Sequence, residues 1–239
     1  MQRGLAPSRE KAQGLILAGC VWVNGHPVTQ SGRRIPEQAE IEIRGQDHPY
    51  VSRGGIKLAY ALDHFGLEVK GLVVMDVGAS TGGFTDCLLQ RGAKKVYAVD
   101  VGYGQLAWKL RQDPRVIVLE RTNIRYLDPS AIAEPVQGAV VDVSFISLKL
   151  VLPKVVTFLS PDAFLVALVK PQFEAGREHV GKGGVVKDAS VHQAVCRSVA
   201  ETVQSLEFRV LGIVASPILG PKGNREFLLA AERTLPLQT

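Results

Sequence analysis

Nine residues, Asp76-Val-Gly-Ala-Ser-Thr-Gly-Gly-Phe84, limit what this chain can fold into more than any others. They lie between an apolar run at 72–77 and a helical pattern at 83–91. A strand, a glycine-rich turn and a helix in that order bring backbone close to a ligand at the carboxyl edge of a sheet. The second candidate strand, 95–100, ends in Asp100, where a carboxylate can hold two ribose hydroxyls. A glycine loop followed by an acid at the next strand end is the general signature of a nucleoside-bearing cofactor. The same residues also suit a tight turn that merely packs helix on strand.

Further candidate strands fall at 116–119, 137–143, 163–169, 208–216 and 225–231, and helices at 103–111, 147–159 and 189–206. A helix beginning near Gly54 leads into the first strand. Apolar strands alternating with amphipathic helices predict an α/β domain, a mostly parallel seven-stranded sheet covered on both faces. The last two strands are joined by a Gly/Pro-rich turn without a helix, so they are expected to form an antiparallel hairpin.

Three motifs offer competing chemistry. Gly78-Ala-Ser80-Thr-Gly82 fits the nucleophile elbow G-x-S-x-G, but an elbow follows several strands and needs a late histidine, and none follows His192. Gly102-Tyr-Gly104-Gln-Leu-Ala107 fits a dinucleotide fingerprint, yet Asp100 would repel the pyrophosphate. Residues 176–183 approach a P-loop, but Gly183 stands where a magnesium-binding hydroxyl belongs.

The first 44 residues read as a separate α+β unit. Ser8 can cap a helix ending near Ala18, Val21-Trp-Val alternates as a strand, Asn24-Gly25 marks a primed turn, and Ile41-Glu-Ile43 alternates again. Residues 45–53 read as a linker and 54–239 as the large domain. Much of the chain's net charge of +5 sits in the first quarter, where residues 1–57 hold eight Lys/Arg against five acids. The longest purely apolar run, at 163–169, is far below the ~18 residues of a spanning helix, and no basic-then-apolar leader is present. Cys20, Cys87 and Cys196 stand far apart, which suits a reducing cytoplasm and suggests no zinc site.

Charged residues mark the expected sheet edge: Asp142 and Lys170 end the fourth and fifth strands, Glu226 lies in the final hairpin, and Lys57 on the entering helix. Each alone could be where the chain meets water. Together, around the D-x-G-x-x-x-G-G loop, they resemble the Lys-Asp-Lys-Glu tetrad of FtsJ-type ribose 2′-O-methyltransferases. Tyr50-Val-Ser-Arg-Gly-Gly-Ile-Lys57, Val141-Asp-Val-Ser-Phe-Ile-Ser147 and Val169-Lys-Pro-Gln-Phe-Glu174 are similar to the TlyA-like subfamily, which carries both rRNA methyltransferase and haemolysin names. Gly4-Leu-Ala-Pro-Ser-Arg-Glu-Lys-Ala12, followed by Val-Asn-Gly25, resembles the αL RNA-binding module of a ribosomal protein and of pseudouridine synthases. Members of the subfamily begin with a further half-helix carrying Arg-Leu-Asp, and this sequence starts inside it.

The resemblance implies a class I, Rossmann-like fold using S-adenosyl-L-methionine on ribosomal RNA or ribosomal subunits. It implies that Asp76, Gly78, Ala79, Ser80, Thr81, Gly82, Phe84 and Asp142 surround the cofactor, with Asp100 and Val101 at its ribose and Asn123 at its adenine. Lys170 becomes the central catalytic group, Lys57 favours its neutral amine, and Asp142 and Glu226 orient both. No metal is called for, because a sulfonium is already an activated methyl donor. Arg3, Arg9, Lys11, Arg33, Arg34 and Arg53 are the expected RNA contacts. The long loop after Lys170 is expected to be a lid over RNA. A membrane-active haemolysin and a catalytically inactive RNA-binding protein are the alternatives. The absence of a long cationic amphipathic helix speaks against the first, and the complete tetrad against the second.

Overall fold

The computed structural model describes residues 3–6, 9–17, 19–43, 48–220 and 222–233. The N-terminal unit holds helix α1 (Arg9–Leu17) and strands β1 (Val21–Val23), β2 (His26–Pro27) and β3 (Ile41–Ile43), in the antiparallel order β2-β1-β3. Asn24 and Gly25 both have positive φ, 49° and 74°, which gives the turn the twist a hairpin needs. The expected cap Ser8 and the helix end Ala18 lie outside the described residues, as does part of the expected linker. Gly19 closes α1 at φ 74°, donating its N–H to the Ile16 carbonyl. The unit buries little, mainly Ala6, Cys20, Val28 and Ala39.

The large domain runs α2 (Gly54–Phe65), β4 (Val73–Val77), α3 (Gly83–Gln90), β5 (Lys95–Val99), α4 (Trp108–Arg111), β6 (Val116–Leu119), β7 (Val136–Val141), α5 (Leu148–Val155), β8 (Leu159–Val169), α6 (Pro171–Glu174), α7 (Ala189–Ser205), β9 (Phe208–Ala215) and β10 (Phe227–Arg233). The sheet order is β6-β5-β4-β7-β8-β10-β9. β4 to β8 are parallel, and β10 runs antiparallel between β8 and β9.

Alternation along the strands feeds two cores, one on each face of the sheet. Val73, Met75 and Val77 face one with Leu148, Leu152, Val199 and Val203 of α5 and α7. Val74 faces the other with Leu58, Leu62, Phe84 and Leu88 of α2 and α3. This topology delivers the carboxyl ends of β4, β5, β7 and β8, and the start of β10, to one edge.

Two helices are shorter than the pattern predicts. Of 103–111 only Trp108–Arg111 is helical, because carboxylates capture the preceding backbone: Asp100 Oδ1 accepts the Gly102 N–H at 2.6 Å and Glu120 the Gly104 N–H at 3.0 Å. The 147–159 helix stops at Val155, gives one 3-10 turn over Val156–Phe158, and passes into β8. Pro153 inside it has no N–H to give the Lys149 carbonyl, which weakens this helix from within.

Candidate active site

The glycine loop turns sharply because β7 lies directly beside it. Gly78 has φ 87°, and a Cβ there would stand 2.5 Å from the Asp142 carbonyl oxygen. Only glycine allows the end of β4 to come this close to the end of β7. Beneath the loop, Asp76 is fully buried and its Oδ2 accepts the Thr85 hydroxyl at 2.6 Å. Its Oδ1 has no partner among the described residues. Burial pushes this carboxyl up to about 7, against the opposing hydrogen bond from Thr85.

An open cleft at the edge is lined by Gly78, Ala79, Ser80, Thr81 and Phe84 from the loop and α3. Asp142 faces them, and Lys57, Ser52, Arg53 and Gly54 close the other side with Ile218. Ser80, at φ 49°, donates its N–H to Asp100 Oδ2 at 2.8 Å and its hydroxyl to Gln105. Among the described residues no histidine is bonded to it, so the elbow geometry of a hydrolase is not built. Asp100 thus grips the Ser80 and Gly102 N–H groups with both oxygens and ties the ends of β4 and β5 together. Val101 beside it is 70% exposed. Asn123 uses Oδ1 to cap the 3-10 turn Ile124–Tyr126, leaving its NH₂ uncommitted by that cap. Gly82 is buried against Leu110, one step behind the cleft.

The four charged residues form two ion pairs. Lys57 Nζ lies 2.6 Å from Glu226 Oε2, with side-chain exposures of 10% and 2%. Lys170 Nζ lies 2.6 Å from Asp142 Oδ1 and donates to the Ser144 hydroxyl at 2.9 Å. Phe227 of β10 is register partner of Val169 of β8, so Glu226 and Lys170 leave neighbouring strand ends. Each lysine therefore has a carboxylate of its own. Glu226 orients Lys57 and Asp142 orients Lys170.

Several residues that position the site were not expected. Ser144 follows Asp142 by two residues, and only the fold shows that it meets Lys170. Glu174, whose carboxyl burial pushes up, accepts the Ser147 hydroxyl at 2.6 Å and the Leu148 N–H at 2.7 Å. It thereby joins the loop after β8 to the loop after β7. Asp86 accepts the Val51 N–H at 2.7 Å and holds the segment before α2 against α3.

The basic residues of the N-terminal unit divide. Arg3 is turned onto its own unit, bonding the carbonyls of Ala39 and Glu37. Arg9, Arg33 and Arg34 are exposed, and the side chain of Lys11 lies outside what is described. Arg53, also exposed, lines the cleft next to Gly54, and a Cβ on Gly19 would sit 3.6 Å from its Nε. The stretch resembling a P-loop holds a 3-10 turn and a β-bridge between Gly181 and Val185, with no helix N-terminus to cradle a phosphate. No helix among the described residues is long and apolar enough to cross a membrane.

A glycine loop and a carboxylate-lined edge on this strand order, with an antiparallel strand set beside the fifth parallel one, define a methyltransferase of the Rossmann-like class. A solved S-adenosylmethionine-dependent methyltransferase from Aquifex aeolicus shares the fold at 21% identity, with a TM-score of 0.53 over 79% of this chain and 95% of that one. The chain belongs to the FtsJ-like methyltransferase family, which matches residues 50–233, and residues 2–41 match the S4 domain. The 16S/23S rRNA (cytidine-2′-O)-methyltransferase TlyA of Mycobacterium tuberculosis is 49% identical over 96% of this chain and 86% of its own. Hemolysin A of Brachyspira hyodysenteriae is 44% identical over 94% of each. A solved Streptococcus thermophilus structure under the hemolysin name is 47% identical, covers 98% of this chain and 86% of that one, and superposes with a TM-score of 0.79.

Proposed function

We propose that this methyltransferase moves a methyl group from S-adenosyl-L-methionine to a ribose 2′-oxygen of ribosomal RNA in the cytoplasm. The observation that carries the reading is the double ion pair, Lys57–Glu226 and Lys170–Asp142, set on the sheet edge that holds the glycine loop. The relative named as an rRNA 2′-O-methyltransferase supports the substrate class.

The cleft suits the cofactor. Backbone at Gly78, Ala79, Ser80 and Thr81 is open to it, Phe84 offers a ring, and the orphaned Oδ1 of Asp76 marks a buried acceptor behind the loop. Asp100, Val101 and Asn123 continue the same edge towards ribose and adenine, and Gly82 and Asp142 complete the set. When bound, the cofactor supplies an electrophilic methyl on a sulfonium.

The chain's own task is the hydroxyl proton, because a sugar hydroxyl is a poor nucleophile near neutral pH. Lys170, in its amine form, takes that proton as the oxygen attacks carbon and the carbon–sulfur bond breaks. Asp142 and Ser144 fix where Nζ points, and Asp142 balances the ammonium that results. Lys57, held by Glu226, presents a fixed charge to the developing alkoxide from the other wall of the cleft.

Substrate recruitment falls to a unit spanning roughly 1–44, joined through 45–53 to the catalytic domain at 54–239. Arg9, Lys11, Arg33 and Arg34 offer phosphate contacts on the first unit. Arg53 does so at the cleft mouth, and Arg3 supports the unit from within. Incubating the chain with tritiated cofactor and isolated ribosomal subunits tests the reading. Label should appear in an alkali-resistant dinucleotide, because a methylated 2′-oxygen cannot attack its own phosphate. Label on a base, or red-cell lysis without any transfer, would reject it.

A further inference from the structure

The loop that follows Lys170 is anchored at one residue from two directions. Val186 is 2% exposed, and its backbone makes a hydrogen bond on each side. Its N–H donates to Asn224 Oδ1 at 3.0 Å, and its carbonyl accepts from His192 Nε2 of α7 at 2.9 Å. Asn224 is itself 3% exposed and donates Nδ2 to the Gly184 carbonyl at 2.9 Å. One primary amide thus satisfies a buried donor and a half-buried acceptor of the same loop, which an Asp, Ser or Leu cannot do.

Asn224 sits in the connection between β9 and β10, two residues before Glu226. That connection closes over the Glu226 side chain. The Asn224 carbonyl accepts the Gly220 N–H at 2.9 Å, and a Cβ on Gly220 would stand 2.4 Å from Glu226 Oε1. The Ser216 N–H donates to the Glu226 carbonyl at 2.9 Å, so the base of the connection is fixed as well. The loop expected to be a lid is therefore fastened to the segment that delivers Glu226 to Lys57.

We propose that Asn224 is a positioning residue whose amide clasps the loop after Lys170 to the β9–β10 connection, and so holds Glu226 on Lys57. The role in turnover rests on the methyl-transfer reading; the clasp itself does not. A carboxylate at 224 still accepts from Val186 but turns a negative oxygen towards the Gly184 carbonyl. A serine keeps at most one of the two bonds. Either change frees the connection, and Glu226 loses the constraint that keeps it under Gly220.

The test uses the full chain, with Asn224→Asp and Asn224→Ser compared against the unaltered protein. Nitrogen-15 NMR follows the Lys57 side-chain ammonium, identified by its loss in Lys57→Ala, and the exchange rate of the Val186 amide. Single-turnover transfer to ribosomal subunits is measured beside cofactor affinity. The expected result is a fast-exchanging Val186 amide, a shifted or broadened Lys57 ammonium signal, and unchanged cofactor affinity. Turnover should slow by up to about 100-fold, the penalty that a displacement near 1 Å can impose. A Val186 amide that exchanges freely while the Lys57 signal and the turnover rate stay as in the unaltered chain overturns the proposal. If the unaltered chain transfers no methyl but its Lys57 signal still responds to the substitutions, the clasp stands and the methyl-transfer reading falls.

Discussion

Lys57 and Glu226 are 169 residues apart in sequence and their charged atoms are 2.6 Å apart in the fold. The helix that precedes the sheet carries one, and the residue just before the last strand carries the other. They meet because β10 is inserted beside β8 rather than added at the outer edge. Burial makes the pairing consequential, since each charge is out of water and depends on the other.

The first prediction concerns that dependence. Glu226→Ala strands a buried ammonium, and removing one partner of such a pair costs about 3–5 kcal/mol. Urea unfolding should show this loss. The double replacement Lys57→Met with Glu226→Leu should recover much of it while remaining inactive. Equal stability for Glu226→Ala and the unaltered chain would mean that the pair is not buried as described.

Asp76 gives a pH dependence with a definite sign. Burial raises its carboxyl from 3.8 to about 7 in the folded chain, so the native state holds a proton that the unfolded state releases. The contribution of this group to stability is therefore greatest at low pH. It declines as pH rises between those two values and is constant above the upper one. Asp76→Asn keeps an acceptor for Thr85 and removes the titration. Urea midpoints at pH 5 and pH 8 should differ less in Asp76→Asn than in the unaltered chain; the same difference in both would remove Asp76 as the cause.

The parallel strands were legible from their apolar runs, although β8 begins at Leu159, ahead of the run at 163–169, and the loop at 76–84 because glycine density after a strand has few other uses. The four charged residues could be named, but not their pairing. Which lysine meets which carboxylate depends on β10 lying next to β8, and strand order is written in no local pattern. The helix at 103–111 misled because periodicity does not register Asp100 and Glu120 reaching over to take the N–H groups of Gly102 and Gly104. Asn224 was hidden for a related reason: an asparagine after a glycine reads as an ordinary turn residue, and its partners are about 40 residues away.

Among the basic residues of the S4 unit, Arg3 and the Arg33/Arg34 pair should behave differently. Arg3 is engaged with the carbonyls of Ala39 and Glu37, so Arg3→Ala should loosen the unit and lower its melting temperature. Arg33→Ala and Arg34→Ala should leave stability alone and weaken binding to ribosomal RNA. Each lost phosphate contact lowers the salt slope of the affinity by about 1. Titrations at several salt concentrations separate the two cases, and an unchanged slope for the double variant would place the RNA elsewhere on the surface.

If Lys170 handles the proton of the attacking hydroxyl, its removal must slow the rate of a single turnover. A general base is typically worth about 100- to 10,000-fold, so Lys170→Ala should lose that much with cofactor and RNA affinity near normal. Lys170→Arg is the decisive variant, because a guanidinium keeps the charge beside Asp142 but stays protonated. Lys170→Arg should be as slow as Lys170→Ala in transfer of tritiated methyl to ribosomal subunits. Near-normal turnover by Lys170→Arg would instead leave Lys170 a fixed charge and assign proton removal to Asp142, Glu226 or water.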